Sequence, residues 1–529
     1  MSSPTDRPDK PDDQIAEGEF PQRNEQSVPK EGPISDQARA HRPLDTASLR
    51  ETEPPPAPRA LGRLAVLAGL VIAASIGAAI ALFATGKFPS EFNKMLGLSA
   101  DKTAVVSSPA SETLKTPEQL SSPAARPPSA STDPRPIGED TARAASVRDA
   151  SERAPTIRGV TDNVIRFGIS AAFTGSAKEL GNQMKLGIQT GFNLINDAGG
   201  IHGRQLKLVA ADDGYEPTRT AETMKELYEK QQVFGFVGNV GTPTAVVGMP
   251  YALERRTLFF GAFTGAGLLR RDPPDRYVFN YRASYAEETD AVVRYLVKMR
   301  GLRPEQIAVF AQQDAYGDSG FAGVAKAMRA LRGGNEGAIL RLDYKRNTVD
   351  VDDAVARLRA HKIPIKAIVM VPAYRTAAKF IEKTRELYPT MIYTSVSFVG
   401  STALADELML LGPRYANGVI VTQVVPAVDS YASTVLKYKT ALAKYFPGVP
   451  PDYVSLEGYV AGNVLLEGLK RVGPQLDTEK LVEALEGVRD FDMGLGTPIS
   501  FGPTEHQGSH KVWGTQLNEY GRYQSIDLE

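Results

Sequence analysis

Residues 164–213 read VIRFGISAAFTGSAKELGNQMKLGIQTGFNLINDAGGIHGRQLKLVAADD, and a strand, a helix and a second strand follow one another in them. The run from Val164 to Ile169 is apolar and β-branched, which suits a strand. Met184, Ile188, Phe192 and Ile195 then recur three or four residues apart, so they share one face of a helix. Asp197-Ala-Gly-Gly200 stops that helix, because glycine accepts the left-handed backbone that closes a helix end. Residues 205–211 make the second strand. A strand, a crossing helix and a strand form the unit of a parallel sheet.

Outward from this unit the alternation continues. Helices are expected at 218–231 and 243–254, with strands at 233–237 and 257–260. After Tyr281-Arg-Ala-Ser284 it restarts: helix 287–299, strand 306–310, helix 318–331, strand 338–342, helix 352–361, strand 367–371 and helix 376–387. The strands 391–394 and 418–422 and helices 431–445, 453–471 and 478–486 complete the pattern. Such alternation predicts parallel sheets covered on both faces. Roughly 360 residues exceed one comfortable core, so the fold class is α/β with two doubly wound lobes.

What precedes this region differs in kind. Twenty residues between Leu64 and Phe83 carry neither charge nor proline, and as a helix they span about 30 Å, the thickness of a bilayer core. The segment is apolar all round and about sixty polar residues come before it, so it reads as one transmembrane anchor rather than a core helix or a leader peptide. The domains expected are a disordered tail (1–60), the anchor (61–84), a Pro/Ser/Ala-rich linker (85–160) and a folded region (161–529). The net charge is -1 and no basic stripe interleaved with aromatics appears, so nucleic acid is not an expected partner. The chain has no cysteine, which excludes a thiol nucleophile, thiolate metal sites and disulfides.

Doubly wound sheets bind ligands beyond the carboxyl ends of their strands. In Gly238-Asn-Val-Gly-Thr-Pro-Thr244, Thr242 and Pro243 read as a helix N-cap and first helical residue, and a helix start attracts a carboxylate. Thr242 and Thr244 add hydroxyl donors. Gly261-Ala-Phe-Thr-Gly-Ala-Gly267 and residues 173–181 are the neighbouring loops. No dinucleotide or phosphate loop is present, and no cofactor or metal is expected. Gly317-Asp-Ser-Gly320 is read as a helix start in a strand-to-helix loop rather than a protease motif, and His506 and His510 as a surface pair. No catalytic constellation emerges, so the chain is not expected to be an enzyme.

The phrases FGISAAFTGSAKELGNQ, NDAGGIHGRQLKLVAADD and FVGNVGTPTA, with Asp314-Ala-Tyr-Gly317 and Leu456-Glu-Gly-Tyr459, resemble the leucine/isoleucine/valine-binding proteins. These are type I periplasmic solute-binding proteins of ABC importers. The resemblance covers about residues 163–529. It implies two lobes, about 163–283 with 424–492 and 284–423 with 493–529, that close on a hinge around a small organic ligand. The ligand residues it implies are Val240, Gly241 and Thr242, then Ala262, Phe263 and Thr264, with Tyr316 and Tyr374 closing from the second lobe. Leu180 and Phe263 make the pocket mouth apolar. Amino-acid binders of this family carry an acidic residue after the strand 391–394, where this chain has Ser395-Val-Ser-Phe398, so Ser397 stands in its place. A buried ammonium without a counter-charge is costly, which favours an amide, a carboxylate or an aromatic acid. The implied protein sits in the inner membrane, N-terminus inside, and hands its ligand to an ABC permease. The alternatives are a receptor that signals to a partner, or a regulator of a cell-envelope enzyme on the same fold.

Overall fold

The computed structural model describes residues 157–331 and 335–529. The expected tail, the anchor between Leu64 and Phe83 and all but the end of the linker lie outside them. Among the described residues no helix is long and apolar enough to cross a membrane.

The first sheet is built from β1 (Val164–Ala171), α1 (Lys178–Asp197), β2 (Gln205–Asp212), α2 (Pro217–Lys225), β3 (Gly235–Val237), α3 (Thr242–Glu254), β4 (Phe259–Phe260) and β5 (Val278–Phe279). Its strands lie in the order β2-β1-β3-β4-β5, all parallel. The apolar run of β1 is explained by its place between two neighbours, where its last five residues are buried.

The second sheet uses α4 (Tyr285–Arg294), β6 (Ile307–Gln312), α5 (Ala315–Ala330), β7 (Arg341–Tyr344), α6 (Asp352–Ala360), β8 (Ala367–Val371), α7 (Tyr374–Arg385), β9 (Ile392–Ser395), α8 (Ser401–Leu411), α9 (Pro413–Ala416) and β10 (Ile420–Gln423). The chain then leaves it for α10 (Ser433–Tyr445), α11 (Tyr453–Val472) and α12 (Thr478–Glu486). It returns as β11 (Trp513–Leu517) and β12 (Tyr523–Ile526). The order is β12-β11-β10-β9-β8-β6-β7. The five strands β7-β6-β8-β9-β10 repeat the order of the first sheet. β11 and β12 run antiparallel, so this sheet is mixed and not purely parallel as the alternation predicts.

Helix α11 packs along α1, and close approach is possible because the facing residues are glycines. A Cβ on Gly187 would come within 1.9 Å of the Ser455 carbonyl oxygen, and one on Gly458 within 2.5 Å of the Met184 carbonyl oxygen. α11 therefore belongs with the first sheet although it follows the strands of the second. Residues 280–284, 424–432 and 487–512 cross between the two bodies. They are tied together: the Asn280 amide donates to the His506 carbonyl (2.8 Å), the Gly508 amide to the Asn280 carbonyl (2.7 Å), and the Tyr281 hydroxyl to the Val424 carbonyl.

Several boundaries move. Residues 338–342 are not one strand: a 3-10 turn covers Glu336–Ala338 and β7 starts at Arg341. Gly317-Asp-Ser-Gly320 lies inside α5, whose N-cap is Asp314, rather than in the loop before it. A Cβ on Gly317 would meet the Gln312 carbonyl oxygen at 1.8 Å, so close packing explains that glycine.

Candidate functional site between the two sheets

Each sheet changes direction between its first and third strands, β1/β3 and β6/β8, and the loops leaving those strands border a crevice. On the first side, two aspartates shape the floor. Asp212 accepts from the amides of Phe173 (2.8 Å) and Gly214 (3.0 Å), the Thr174 hydroxyl (2.6 Å) and Arg219 (3.0 Å). Burial opposes its charge, but these bonds hold its carboxyl down at about 2. Asp213, pushed up by burial, accepts from the Ser170 hydroxyl (2.8 Å) and the Tyr215 amide (2.9 Å) and sets Tyr215 into the crevice.

The helix start after β3 departs from expectation. The N-cap is Gly241, at φ 107° and ψ 151°, and Thr242 is already helical. Glycine takes this place because its backbone is left-handed and a Cβ would strike the Tyr215 ring at 2.3 Å. Freed from capping, the Thr242 hydroxyl lies 2.7 Å from that of Thr264 in the next loop, and both residues are fully buried. Thr244 is no free donor, because its hydroxyl bonds the carbonyls of Val240 (2.5 Å) and Gly241 (3.0 Å). Val240 and Phe263 pair as an isolated bridge. Ala262 points elsewhere: it belongs to the apolar cluster of Phe236, Met249 and Leu269 in the first body's core.

From the second side comes a group of aromatic rings. Phe398 lies 5.0 Å from Phe263, nearly parallel at 27°, and 4.6 Å from Tyr316, ring centre to ring centre. Tyr215 and Tyr285 stand at 6.1 and 6.4 Å. Leu180 and Tyr374 meet at Gly400, where an added Cβ would come within 2.6 Å of Leu180 and 3.7 Å of Tyr374. Leu180 and Phe263 are fully buried, so they form an interior and not an apolar mouth. The Tyr285 and Tyr374 hydroxyls are buried without a hydrogen bond of good geometry, the nearest groups being the Thr264 hydroxyl and the Glu179 backbone. Burial pushes Tyr285 up to about 12, so it stays a neutral donor.

Beneath the rings lies an ion cluster that reading the sequence missed. Arg282, 1% exposed, contacts Glu288 of α4 at 2.6 Å, Glu457 of α11 at 3.3 Å and the Ser397 hydroxyl at 2.5 Å. Glu288 also accepts from the Ser397 amide (2.8 Å) and the Thr422 hydroxyl (2.6 Å). The site therefore does hold buried carboxylates beside Ser397, contrary to the inference from 395–398, but one arginine already engages both. Burial pushes Glu457 up to about 7 against the pull of Arg282. Arg282 stood in the quoted run at 281–284, but its partners lie 6 and 175 residues away, a relation no local pattern carries.

At the rim the two sides are tied. Arg346 bridges Glu216 (2.8 Å) and Asp314 (3.0 Å), and Asn347 bonds Glu216 (2.6 Å) and Ser176 (3.1 Å). Burial alone would lower Arg346, but its two carboxylates carry it above its ordinary value. The crevice is thus shut and filled by side chains.

A second concavity of about 1040 Å³ lies between 265–274, the start of α4, residues 319–330 of α5, and 504–510. It contains Ser319 and the histidines. Ser319 donates to the Ala315 carbonyl (2.7 Å), and no base meets it. His506 is buried rather than on the surface, stacked 3.8 Å over Phe279 with Nδ1 2.9 Å from the Val278 carbonyl. His510 alone is exposed, 2.6 Å from Glu287.

Comparison with known proteins agrees with this architecture. The family model described as periplasmic binding protein matches residues 164–522. A Leu/Ile/Val-binding protein homolog 3 from Brucella melitensis is 26% identical over 336 residues, 63% of this chain and 86% of that one. The crystal structure of a possible leucine/isoleucine/valine-binding protein from Rhodopirellula baltica is 40% identical, covers 71% of this chain and 99% of its own, and superposes with a TM-score of 0.66. A branched-chain amino acid ABC transporter structure from Thermus thermophilus with bound valine is 17% identical at TM-score 0.58, covers 69% of this chain and 96% of its own, and bears on the fold alone.

Proposed function

The chain belongs to the periplasmic binding protein family, among relatives of the leucine/isoleucine/valine-binding type, and from this premise we propose that it captures a small organic solute for an ABC importer. The domain at 161–529 faces the periplasm on the anchor between Leu64 and Phe83, with the tail inside. The lobes are about 163–283 with 424–492 and 284–423 with 493–529. They close by hinge motion at the three crossings, without covalent chemistry.

The observation that carries this reading is the meeting of the two sets of loops. The hydroxyls of Thr242 at the start of α3 and Thr264 in the next loop offer a seat for a carboxylate or amide, while Tyr316 and Tyr374 cover it from the other sheet. Leu180, Val240, Gly241 and Phe263 line the first side, and Ser397 the base. Arg282 engages both neighbouring carboxylates, which leaves no free anion for a ligand ammonium and favours a ligand without one.

Thermal unfolding of the full chain against aliphatic and aromatic acids, amides and amino acids tests it. A ligand at 100 times its Kd stabilises by about 2.7 kcal/mol, which moves the midpoint of a domain this large by about 1–3 °C. The expected hit is lost in Thr242→Ala. A panel without any hit would count against the clamp. A receptor role is the second reading, favoured by the tail of 60 residues, which transport leaves unused. There, deleting the tail abolishes signalling and spares uptake.

A further inference from the structure

The shut crevice has an occupant supplied by the chain itself. Phe398 is fully buried among four rings, two from each side: Tyr215 and Phe263, then Tyr285 and Tyr316. Its ring lies nearly parallel to Phe263 (27°), with Tyr316 tilted at 58° and Tyr285 edge-on at 82°. It is carried neither by a strand nor by an α-helix but by the 3-10 turn Ser397–Val399, which ends at Gly400 in left-handed backbone. Short 3-10 turns have poorer hydrogen-bond geometry than α-helices, and this one is anchored at Ser397 by Glu288 and Arg282. Beside the ring the polar groups serve one another. The hydroxyls of Thr242 and Thr264 bond each other, Thr264 also accepts from the Ala266 amide (3.2 Å), and the buried Tyr285 hydroxyl has only Thr264 near it, without good geometry.

We propose that the Phe398 ring holds the place of the ligand's apolar part, and that the clamp selects a small carboxylate bearing a flat ring, which enters as Phe398 leaves. This rests on the solute-binding reading and narrows it. The carboxylate takes hydrogens from Thr242, Thr264 and Tyr285, and the ligand's ring stacks on Phe263 against Tyr316, where offset aromatic pairs gain beyond their buried area. A branched aliphatic acid fills the same slot without that stacking. Phe398 is thus a specificity-determining residue that competes with the ligand.

The test is calorimetric titration of the full chain in lipid nanodiscs with phenylacetate, isovalerate and L-valine, for the wild type, Phe398→Ala and Phe398→Leu. Phenylacetate is expected to bind the wild type at least tenfold more tightly than isovalerate or valine. It is expected to bind Phe398→Ala at least tenfold more tightly again, with Phe398→Leu between them, and to restore the melting temperature that Phe398→Ala loses. Phenylacetate binding that is unchanged or weaker in both variants overturns the proposal, since the ring is then wall or core. A preference for isovalerate or valine overturns it equally, as does the absence of phenylacetate binding in all three proteins. If another ligand of the wider panel binds, is lost in Thr242→Ala and is indifferent to Phe398→Ala, the clamp stands and this inference falls. If that panel is blank as well, both fall.

Discussion

The two sheets share one strand order, β2-β1-β3-β4-β5 and β7-β6-β8-β9-β10, yet their crevice loops are unlike. The first presents small and hydroxylated residues, Gly238, Gly241, Thr242 and Thr264. The second presents rings, Tyr316, Tyr374 and Phe398. Topology decides where loops meet, and the residues just past each strand decide what the meeting place can hold. In the proposed clamp the first sheet grips a polar end and the second covers an apolar one. Arg282 lies beneath both and joins α4 to α11.

The sharpest way to break this division is to remove what both halves share. Arg282→Ala strands two buried carboxylates, and losing one partner of a buried ion cluster costs about 3–5 kcal/mol. Urea unfolding measures it, and a cost under 1 kcal/mol would show that the cluster is wet or dispensable. Next comes the polar half: Thr242→Ala removes the bond to the Thr264 hydroxyl, which keeps only the Ala266 amide (3.2 Å) as a donor to it, a loss of about 0.5–1.5 kcal/mol. Tyr316→Phe removes only a long bond to the Pro372 carbonyl (3.4 Å) and is expected to change stability less than Thr242→Ala does. The reverse ranking would contradict the assignment of polar work to the first side.

Acidity separates the regions by sign. Asp212, held at about 2, adds stability that is present above its unfolded value of 3.8 and disappears as pH falls toward 2. Glu457, raised from 4.5 to about 7, binds its proton more readily in the folded chain. Its contribution therefore declines as pH rises from 4.5 to 7 and is level above. Glu457→Gln should flatten stability in that window and leave the acid limb unchanged, as seen in urea midpoints across pH. The smallest effect belongs to the rim. Arg346→Ala breaks part-exposed pairs worth under about 1 kcal/mol, so it should barely move the melting temperature while raising the ligand's off-rate.

The β1-α1-β2 unit, the restart after Ser284 and helix α11 were legible because long periodic runs report burial directly. The two-residue strand β5 carries too few side chains to show a period, whereas β4 falls within the strand expected at 257–260. β11 and β12 mix Thr, Gln and Ser with apolar residues, and antiparallel pairing leaves no crossover helix to announce it. The loops at 238–244 and 261–267 could be located because they follow strands. Thr242 was expected as the cap on residue type, and Gly241 took that place because the approach of Tyr215 excludes any side chain there. Phe398 stood in a stretch read for the acid it lacks, while its ring acts through Phe263 and Tyr316, at separations only the fold creates.

Because the chain lacks cysteine, two introduced thiols label it uniquely. Exposed Val246 on α3 and Leu410 on α8 stand on opposite sides of the crevice. Spin labels at Val246→Cys and Leu410→Cys, with distances read by pulsed electron resonance, follow closure directly. Saturation with a panel ligand that binds by calorimetry should narrow the distance distribution onto the shut arrangement, and Thr242→Ala should abolish that change. An identical distribution with and without the bound ligand would contradict closure of the two lobes around it.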